Sequence, residues 1–140
     1  MKYEIYLSDY EKNPSFYKKA IAEYEKRLGR YCGISCHFVK KEKEWKKIWE
    51  SSREAIVVLP GESTLTSEAF SRRIHRWEMN GKGRLSILIP SEKEEMGEGA
   101  PAFEKLHLSR FTMNSAMAAM VLCEQIYRGY RILHNHPYHK

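Results

Sequence analysis

Aromatic, histidine and cationic side chains are interleaved near the end of the 140-residue chain. They are Tyr127, Arg128, Tyr130, Arg131, Tyr138, His139 and Lys140. Cationic groups that bind phosphate, next to rings that stack on bases, are typical of proteins that contact RNA. The net charge of +6 and the pI of about 9.2 permit a polyanionic partner of this kind. Two further basic clusters, within 40–47 and 72–76, are interpreted as solvated helix faces.

The other reactive side chains do not favour metal, redox or covalent chemistry. Cys32 and Cys36 are separated by three residues rather than by the two of zinc and redox pairs. His134, His136 and His139 are close in sequence, but no cysteine or carboxylate accompanies them. We therefore expect no metal, and a zinc site in the tail is the less favoured alternative. The sequence contains no P-loop, nucleophile elbow or GxGxxG motif that opens a helix.

The elements that must position these side chains alternate between strands and helices. Apolar alternation and short apolar runs predict strands at Lys2–Leu7, Ile34–Val39, Ala55–Leu59, Leu85–Ile89 and Leu106–Leu108. Helical spacing predicts helices at Pro14–Leu28, Glu42–Glu50, Thr66–Asn80 and Asn114–Ile132. Asn114 or Ser115 is the expected N-cap of the last helix. This order predicts an α/β fold in which helices cover both faces of a parallel sheet, and the length predicts one domain over 1–140.

Two similar segments mark the expected position of a binding site. AIVVLPGES (Ala55–Ser63) and LSILIPSEK (Leu85–Lys93) are each a short apolar run followed by proline, a small residue and glutamate. In open parallel α/β sheets, ligands bind at the carboxyl ends of the strands. We therefore expect a site in the loops that follow Leu59 and Ile89.

The last predicted helix begins with a run that is apolar on every side, Ala116–Cys123. Because such a helix must be buried all round, we expect one side to pack on the sheet and the other on a second subunit of a homodimer. No apolar run approaches the roughly 20 residues of a membrane span. The first residues lack the features of a signal peptide, so we expect a cytoplasmic protein with no membrane contact.

The segment LHLSRFTMNSAMAAMVLCEQIYRGYRILHNHPYHK closely resembles the end of the RlmH family. These are SPOUT-class methyltransferases that methylate N3 of a pseudouridine in large-subunit (23S) ribosomal RNA. The matching positions are Leu106, Leu108, Ser109 and Thr112, then Glu124–Arg128, then Pro137–Lys140. The earlier part of the chain is also similar in length and order, including the stretch Gly61–Phe70.

The resemblance implies a fold, an assembly and a cofactor. It implies a parallel SPOUT-type sheet whose carboxyl-terminal end passes through a loop to form a trefoil knot, and an obligate homodimer. It also implies that S-adenosylmethionine lies in the knot, held by the loops after Leu59 and Ile89 and by the loop Leu108–Met113. The expected cofactor-binding residues are Leu59, Pro90, Leu108, Ser109, Arg110, Phe111, Thr112 and Met113.

The resemblance further implies that the tail of one subunit closes over the cofactor of the other. His139 and Tyr138 would then orient the target base or handle its N3 proton, because an imidazole titrates in a suitable range. Arg128 would hold a phosphate or the carbonyl of the base. The expected activity is methylation of ribosomal RNA, and the expected partner is that RNA or the assembled ribosome.

Two loops differ from the family pattern, which leaves a second function open. Family members carry Gly-Gly where this chain has Pro90-Ser91, and Pro-His where it has Asn114-Ser115. Proline has no N–H to donate, whereas glycine lets the backbone approach a ligand closely. The alternative is a catalytically degenerate relative that dimerises and binds ribosomal RNA without efficient methyl transfer.

Overall fold

Strands and helices alternate along the chain in the computed structural model, which describes residues 1–9, 15–52, 55–62, 65–80, 83–91 and 104–135. The strands are β1 (Lys2–Ser8), β2 (Gly33–Val39), β3 (Ala55–Val58), β4 (Arg84–Ile89) and β5 (Glu104–Leu106). The helices are α1 (Ser15–Leu28), α2 (Glu42–Ser51), α3 (Ser67–Met79) and α4 (Ser115–Leu133). All strand pairs are parallel, and the strand order is β2-β1-β4-β3-β5. The predicted parallel α/β fold is therefore confirmed.

The sheet has apolar side chains on both faces in its central strands. In β1, Tyr3, Ile5 and Leu7 are fully buried on one face, as the alternation of the sequence predicts. All residues of β3 are buried, as expected for a short parallel strand between two layers of helices. The face that carries Ile5 packs against α1, α3 and α4, and the opposite face packs against α2 through Trp45.

Packing within one chain covers most of the apolar run of α4, which corrects the argument that this run needs a second subunit. Helix α4 lies against β1 and is flanked by α1 and α3. The residues buried in this way are Ala116, Ala118, Ala119, Leu122 and Cys123. Only part of the run is left half-buried, at Met117, Met120 and Val121. A homodimer stays a prediction, and it now rests on this narrower stripe.

The ends of the elements follow local capping and pairing. Asn114 is the N-cap of α4, since its side chain accepts a hydrogen bond from the backbone N–H of Met117 at 2.8 Å. β5 lies two residues earlier than the predicted Leu106–Leu108, because its pairing with β3 ends where Val58 is opposite Leu106. The predicted start of α1 at Pro14 lies outside the described residues. The segment 92–103, which connects β4 to β5, also lies outside the described residues. The trefoil knot therefore stays a prediction.

Candidate active site

The carboxyl ends of β3 and β4 and the segment after β5 enclose a cavity of about 300 Å³, which we call the main cavity. The two strands end at the same edge of the sheet, because Val57 pairs with Leu88 in the register of this pair. The lining residues are Val58, Leu59, Pro60, Ile89, Pro90, Ser91, Leu108, Ser109, Phe111, Thr112, Met113 and Ala118. The cavity therefore lies where the sequence placed the site.

The segment after β5 forms the third wall of the main cavity, next to the ends of β3 and β4. Hydrogen bonds to the loop after β3 hold this segment in place. The Leu59 N–H donates to the carbonyl of Leu106 at 3.0 Å, and the Gly61 N–H donates to the carbonyl of Ser109 at 3.1 Å. Between these bonds, His107 Nδ1 lies 2.9 Å from the carbonyl oxygen of Leu59. A Cβ on Gly61 would lie 2.5 Å from the same Nδ1, so only glycine leaves room for the imidazole.

The walls of the main cavity are mostly apolar, and several of its backbone donors are already used. Pro60 and Pro90 have no N–H. The N–H of Ser91 donates to Ser8 Oγ at 3.2 Å, and the N–H of Phe111 donates to Ser109 Oγ at 3.0 Å. A slot of this kind suits a flat, largely apolar ring with few hydrogen-bonding groups.

All of the predicted cofactor-binding residues except Arg110 line the main cavity. Arg110 instead forms an ion pair with Glu62 at 2.9 Å, and both side chains are 74% exposed. This pair joins the loop after β3 to the loop after β5 outside the cavity. A pair so exposed contributes little to stability. The binding of a cofactor by the other residues stays a prediction.

Of the three predicted catalytic residues, the structure describes Arg128 alone, and Arg128 is not among the residues that line the main cavity. Tyr138 and His139 lie outside the described residues. Arg128 is on α4, ten positions beyond Ala118, which corresponds to about 15 Å along a helix. Its guanidinium binds the carboxylate of Glu124 through Nε at 3.1 Å and a terminal nitrogen at 2.9 Å.

The structure also removes one ring from the predicted RNA-contacting cluster. Tyr130 is 1% exposed, its hydroxyl donates to Glu78 at 2.5 Å, and it lies 3.0 Å from the hydroxyl of Tyr3. Burial raises the pKa of Tyr130 well above its usual range, and the nearby Tyr3 adds to this effect. Tyr130 therefore belongs to the core and is not available to stack on a base.

Several residues that line the main cavity are not among the cofactor-binding residues expected from the sequence. They are Val58, Pro60, Ile89, Ser91 and Ala118. Four of them flank the predicted strand ends, so the repeated apolar-proline pattern was the signal that could have found them. Ala118 could not be found in this way, because its contact depends on where the start of α4 meets the sheet.

The described residues form neither a metal-binding cluster nor a membrane-spanning helix. Within the described ranges, no three or more histidine, cysteine, aspartate or glutamate side chains are grouped so that they could hold a metal ion. Within the same ranges, no helix is long and apolar enough to cross a bilayer.

Comparison with known proteins identifies the family. The family model described as "Predicted SPOUT methyltransferase" matches residues 1–139. The chain belongs to the SPOUT methyltransferases. Its curated relatives include a protein of Thermoanaerobacter sp. (strain X514) named ribosomal RNA large subunit methyltransferase H 1, which is 35% identical over 140 residues, 100% of both chains. A Syntrophomonas wolfei protein named ribosomal RNA large subunit methyltransferase H is 34% identical over 160 residues, again 100% of both chains. The predicted membership of the RlmH family is thereby confirmed.

Two solved structures share this fold at low sequence identity. A probable methyltransferase from Bordetella pertussis Tohama I has a TM-score of 0.52 and 6% identity, and the match covers 91% of this chain and 95% of that one. A probable methylase family protein from Haemophilus influenzae has a TM-score of 0.50 and 12% identity, with 95% and 66% covered. These likenesses concern the fold alone.

Proposed function

We propose that this chain transfers a methyl group from S-adenosylmethionine to N3 of a pseudouridine in large-subunit (23S) ribosomal RNA. The observation that carries the proposal is that three separate loops, predicted from the RlmH resemblance, enclose one cavity at the carboxyl ends of β3 and β4. The full-length relatives named as ribosomal RNA large subunit methyltransferases support the same activity. A ribosomal substrate would place the chain in the cytoplasm.

The residues of the main cavity fit S-adenosylmethionine. Leu59, Ile89 and Leu108 supply apolar walls for the adenine ring. Ser109 and Thr112 carry hydroxyl groups on the third wall that suit the polar parts of the cofactor, and the Ser109 hydroxyl, which accepts from the Phe111 N–H, retains its own hydrogen to donate. When bound, S-adenosylmethionine supplies an electrophilic methyl group on a positively charged sulfur. The role of this chain is then to hold the methyl donor and the base in line, and positioning of this kind contributes on the order of 7–11 kcal/mol in favourable cases.

The geometry of α4 supports a role for the tail in the partner subunit. Ala118, in the main cavity, and Leu133, at the end of α4, are separated by about 22 Å of helix. From Asn135 to His139 a fully extended chain reaches at most about 14 Å. The tail therefore starts at the end of α4 that is remote from the main cavity of its own chain. We infer that Tyr138 and His139 would contact the base at the main cavity of a second subunit. Arg128 would contact the RNA bound there.

The surface of α4 supports a homodimer. Met117 and Met120 are half-buried apolar side chains of the helix, whereas the half-buried Val121 lines a smaller cavity beside α3. Phe111, in the loop next to the start of α4, is 83% exposed. Exposed apolar side chains grouped beside a cavity are typical of protein–protein contact sites. A second copy packed here would cover these side chains and bring its tail to the main cavity.

Methyl transfer to ribosomal particles tests the proposal. Purified protein is incubated with large subunits or ribosomes and S-adenosylmethionine labelled in the methyl group, and the modified nucleotide is located by mass spectrometry of the RNA. We expect one label, on N3 of a pseudouridine in the large-subunit RNA. Deletion of Tyr138–Lys140 should abolish it. Labelling of another nucleotide, or of none, would contradict the proposal.

The degenerate relative remains a second candidate because of the loop after β4. Pro90 offers no N–H, and the N–H of Ser91 is directed to Ser8. If methyl transfer fails, binding distinguishes the cases: the degenerate protein would bind ribosomal RNA with strong salt dependence and would not bind S-adenosylmethionine. Arg128→Ala should weaken that RNA binding.

A further inference from the structure

A second, smaller cavity of about 240 Å³ adjoins the main cavity, and we call it the His107 cavity. It lies between the start of α3, the end of β5 and the middle of α4. The lining residues are Leu65, Thr66, Ser67, Phe70, His107, Leu108, Val121 and Gln125. Leu108 lines both cavities. The two cavities are therefore neighbours, as the sites of a methyl donor and a methyl acceptor must be.

Hydrogen bonds fix the polar groups of the His107 cavity in defined orientations. Ser67 Oγ donates to Gln125 Oε1 at 2.8 Å, and Gln125 Nε2 donates to Glu124 Oε2 at 2.7 Å. These bonds determine which end of the Gln125 amide is oxygen and which is nitrogen. A primary amide has two N–H donors, so the amide retains one N–H for a ligand.

The imidazole of His107 is also fixed, with one nitrogen available. Its Nδ1 lies 2.9 Å from the carbonyl oxygen of Leu59, which can only accept, so Nδ1 carries the hydrogen. In the neutral ring, Nε2 is then an acceptor. Across the described ranges, nothing hydrogen-bonds to this Nε2. The ring is packed against Gly61 and cannot turn without losing the bond to Leu59.

We propose that the His107 cavity holds the base that receives the methyl group, with Nε2 of His107 as the acceptor of its N3 proton. The proposal rests on the proposed function. The edge of a uracil-like base presents a carbonyl, an N–H and a second carbonyl, so it needs one acceptor flanked by donors. Nε2 of His107 supplies the acceptor, and the Gln125 amide supplies a donor. Leu65, Phe70 and Val121 supply apolar contacts to the ring.

The chemical step is balanced without another reactant. The N3–H bond breaks and the proton passes to Nε2 of His107, which becomes an imidazolium. The electron pair left on N3 forms the new bond to the methyl carbon. The carbon–sulfur bond breaks, and its electron pair stays on sulfur, which becomes a neutral thioether. His107 is regenerated when the imidazolium gives the proton to water.

Two variants separate this role from a structural one. His107→Asn keeps a side-chain N–H near the position of Nδ1, so the bond to Leu59 is retained while Nε2 is lost. We expect kcat to fall by about 100-fold or more, the usual effect of removing a general base. The Kd for S-adenosylmethionine should not change.

Gly61→Ala keeps the imidazole of His107 but displaces it, since the new Cβ would be 2.5 Å from Nδ1. We expect kcat to fall in this variant as well. Met79→Ala, at a position 72% exposed, is the control. An unchanged kcat in folded His107→Asn would overturn the proposal.

Nucleoside binding gives a readout that does not require methyl transfer. Pseudouridine is titrated into protein labelled with ¹³C at the histidine rings, and the His107 signals are assigned by their absence from His107→Asn. These signals should shift as pseudouridine is added. If they shift but no RNA is methylated, the proposed function fails and the assignment of the cavity stands. If RNA is methylated, the His107 signals do not shift and His107→Asn keeps its kcat, the assignment of the cavity is overturned and the proposed function stands.

Discussion

The hydroxyl oxygen of Ser8 lies 3.2 Å from the backbone nitrogen of Ser91 and accepts its hydrogen bond. The same oxygen accepts a hydrogen bond from Trp45 Nε1 at 3.1 Å. Ser8 thereby ties the end of β1 to α2 and to the loop that forms one wall of the main cavity. It also directs the N–H of Ser91 toward the sheet. With proline at the preceding position, this loop is poorer in donors than the Gly-Gly of the family pattern.

Restoring a donor at position 90 should strengthen cofactor binding. We expect Pro90→Gly to lower the Kd for S-adenosylmethionine by about 2- to 10-fold, the worth of one added hydrogen bond. Pro90→Ala is the matched comparison, because it also restores the N–H but without the conformational freedom of glycine. Calorimetric titration measures both. If neither variant binds more tightly than the original chain, the missing N–H does not limit binding.

Asn114 should stabilise the helix that begins at the main cavity. Its side chain accepts from the N–H of Met117, which has no partner within the first turn of the helix. We expect Asn114→Ala to lower the free energy of unfolding by about 1 kcal/mol, and Asn114→Ser to lower it by much less. Urea unfolding followed by circular dichroism provides the measurement. Equal stability of Asn114→Ala and the original chain would show that the cap contributes nothing.

Stability should decrease at acidic pH through Glu4. Burial alone would raise the pKa of Glu4, but hydrogen bonds from His37 and Lys2 outweigh it, and the pKa lies below its ordinary value of 4.5. A carboxylate of this kind stabilises the fold above its ordinary pKa, and this contribution is lost as the pH falls through the folded value. Unfolding measured from about pH 7 to about pH 3 should show the loss, and Glu4→Gln should reduce it. Glu23→Gln, at an exposed ion pair, is the control. The same pH dependence in Glu4→Gln and Glu23→Gln would exclude Glu4 as its source.

The proposed dimer should depend on Met120. Met120→Glu places a charge in the apolar stripe of α4, and burying an unpaired charge in an interface is strongly unfavourable. We expect monomers by light scattering, whereas Met79→Glu, on an exposed part of α3, should leave the dimer intact. An unaffected dimer in Met120→Glu would mean that the subunits meet on another surface.

Features set by neighbouring residues could be predicted from the sequence. The alternation of Tyr3, Ile5 and Leu7 predicts β1, the apolar-proline pattern predicts the ends of β3 and β4, and Asn114 is one of the two N-caps that the sequence predicts. Contacts between distant residues could not be predicted. The pairing of Ser8 with Ser91 and the space that Gly61 leaves for His107 arise only when β1, β3, β4 and β5 lie side by side.

Burial on α4 was equally hard to predict, because it depends on which helices flank it. Tyr130 lies close to arginines in the sequence, as a surface aromatic residue often does, but α3 brings Glu78 to its hydroxyl. Arg110 lies between two residues of the main cavity, but its long side chain leads outward to Glu62. Sequence position alone does not determine the direction of a side chain in an irregular loop.

Calorimetric titration of S-adenosylmethionine into Ser109→Trp and Arg110→Trp tests the central claim most directly. The two positions are adjacent, but only Ser109 lines the main cavity. If the cofactor binds in that cavity, the original chain and Arg110→Trp will bind one molecule per subunit, and folded Ser109→Trp will bind none. Equal binding by both variants, or no binding by the original chain, would contradict the account.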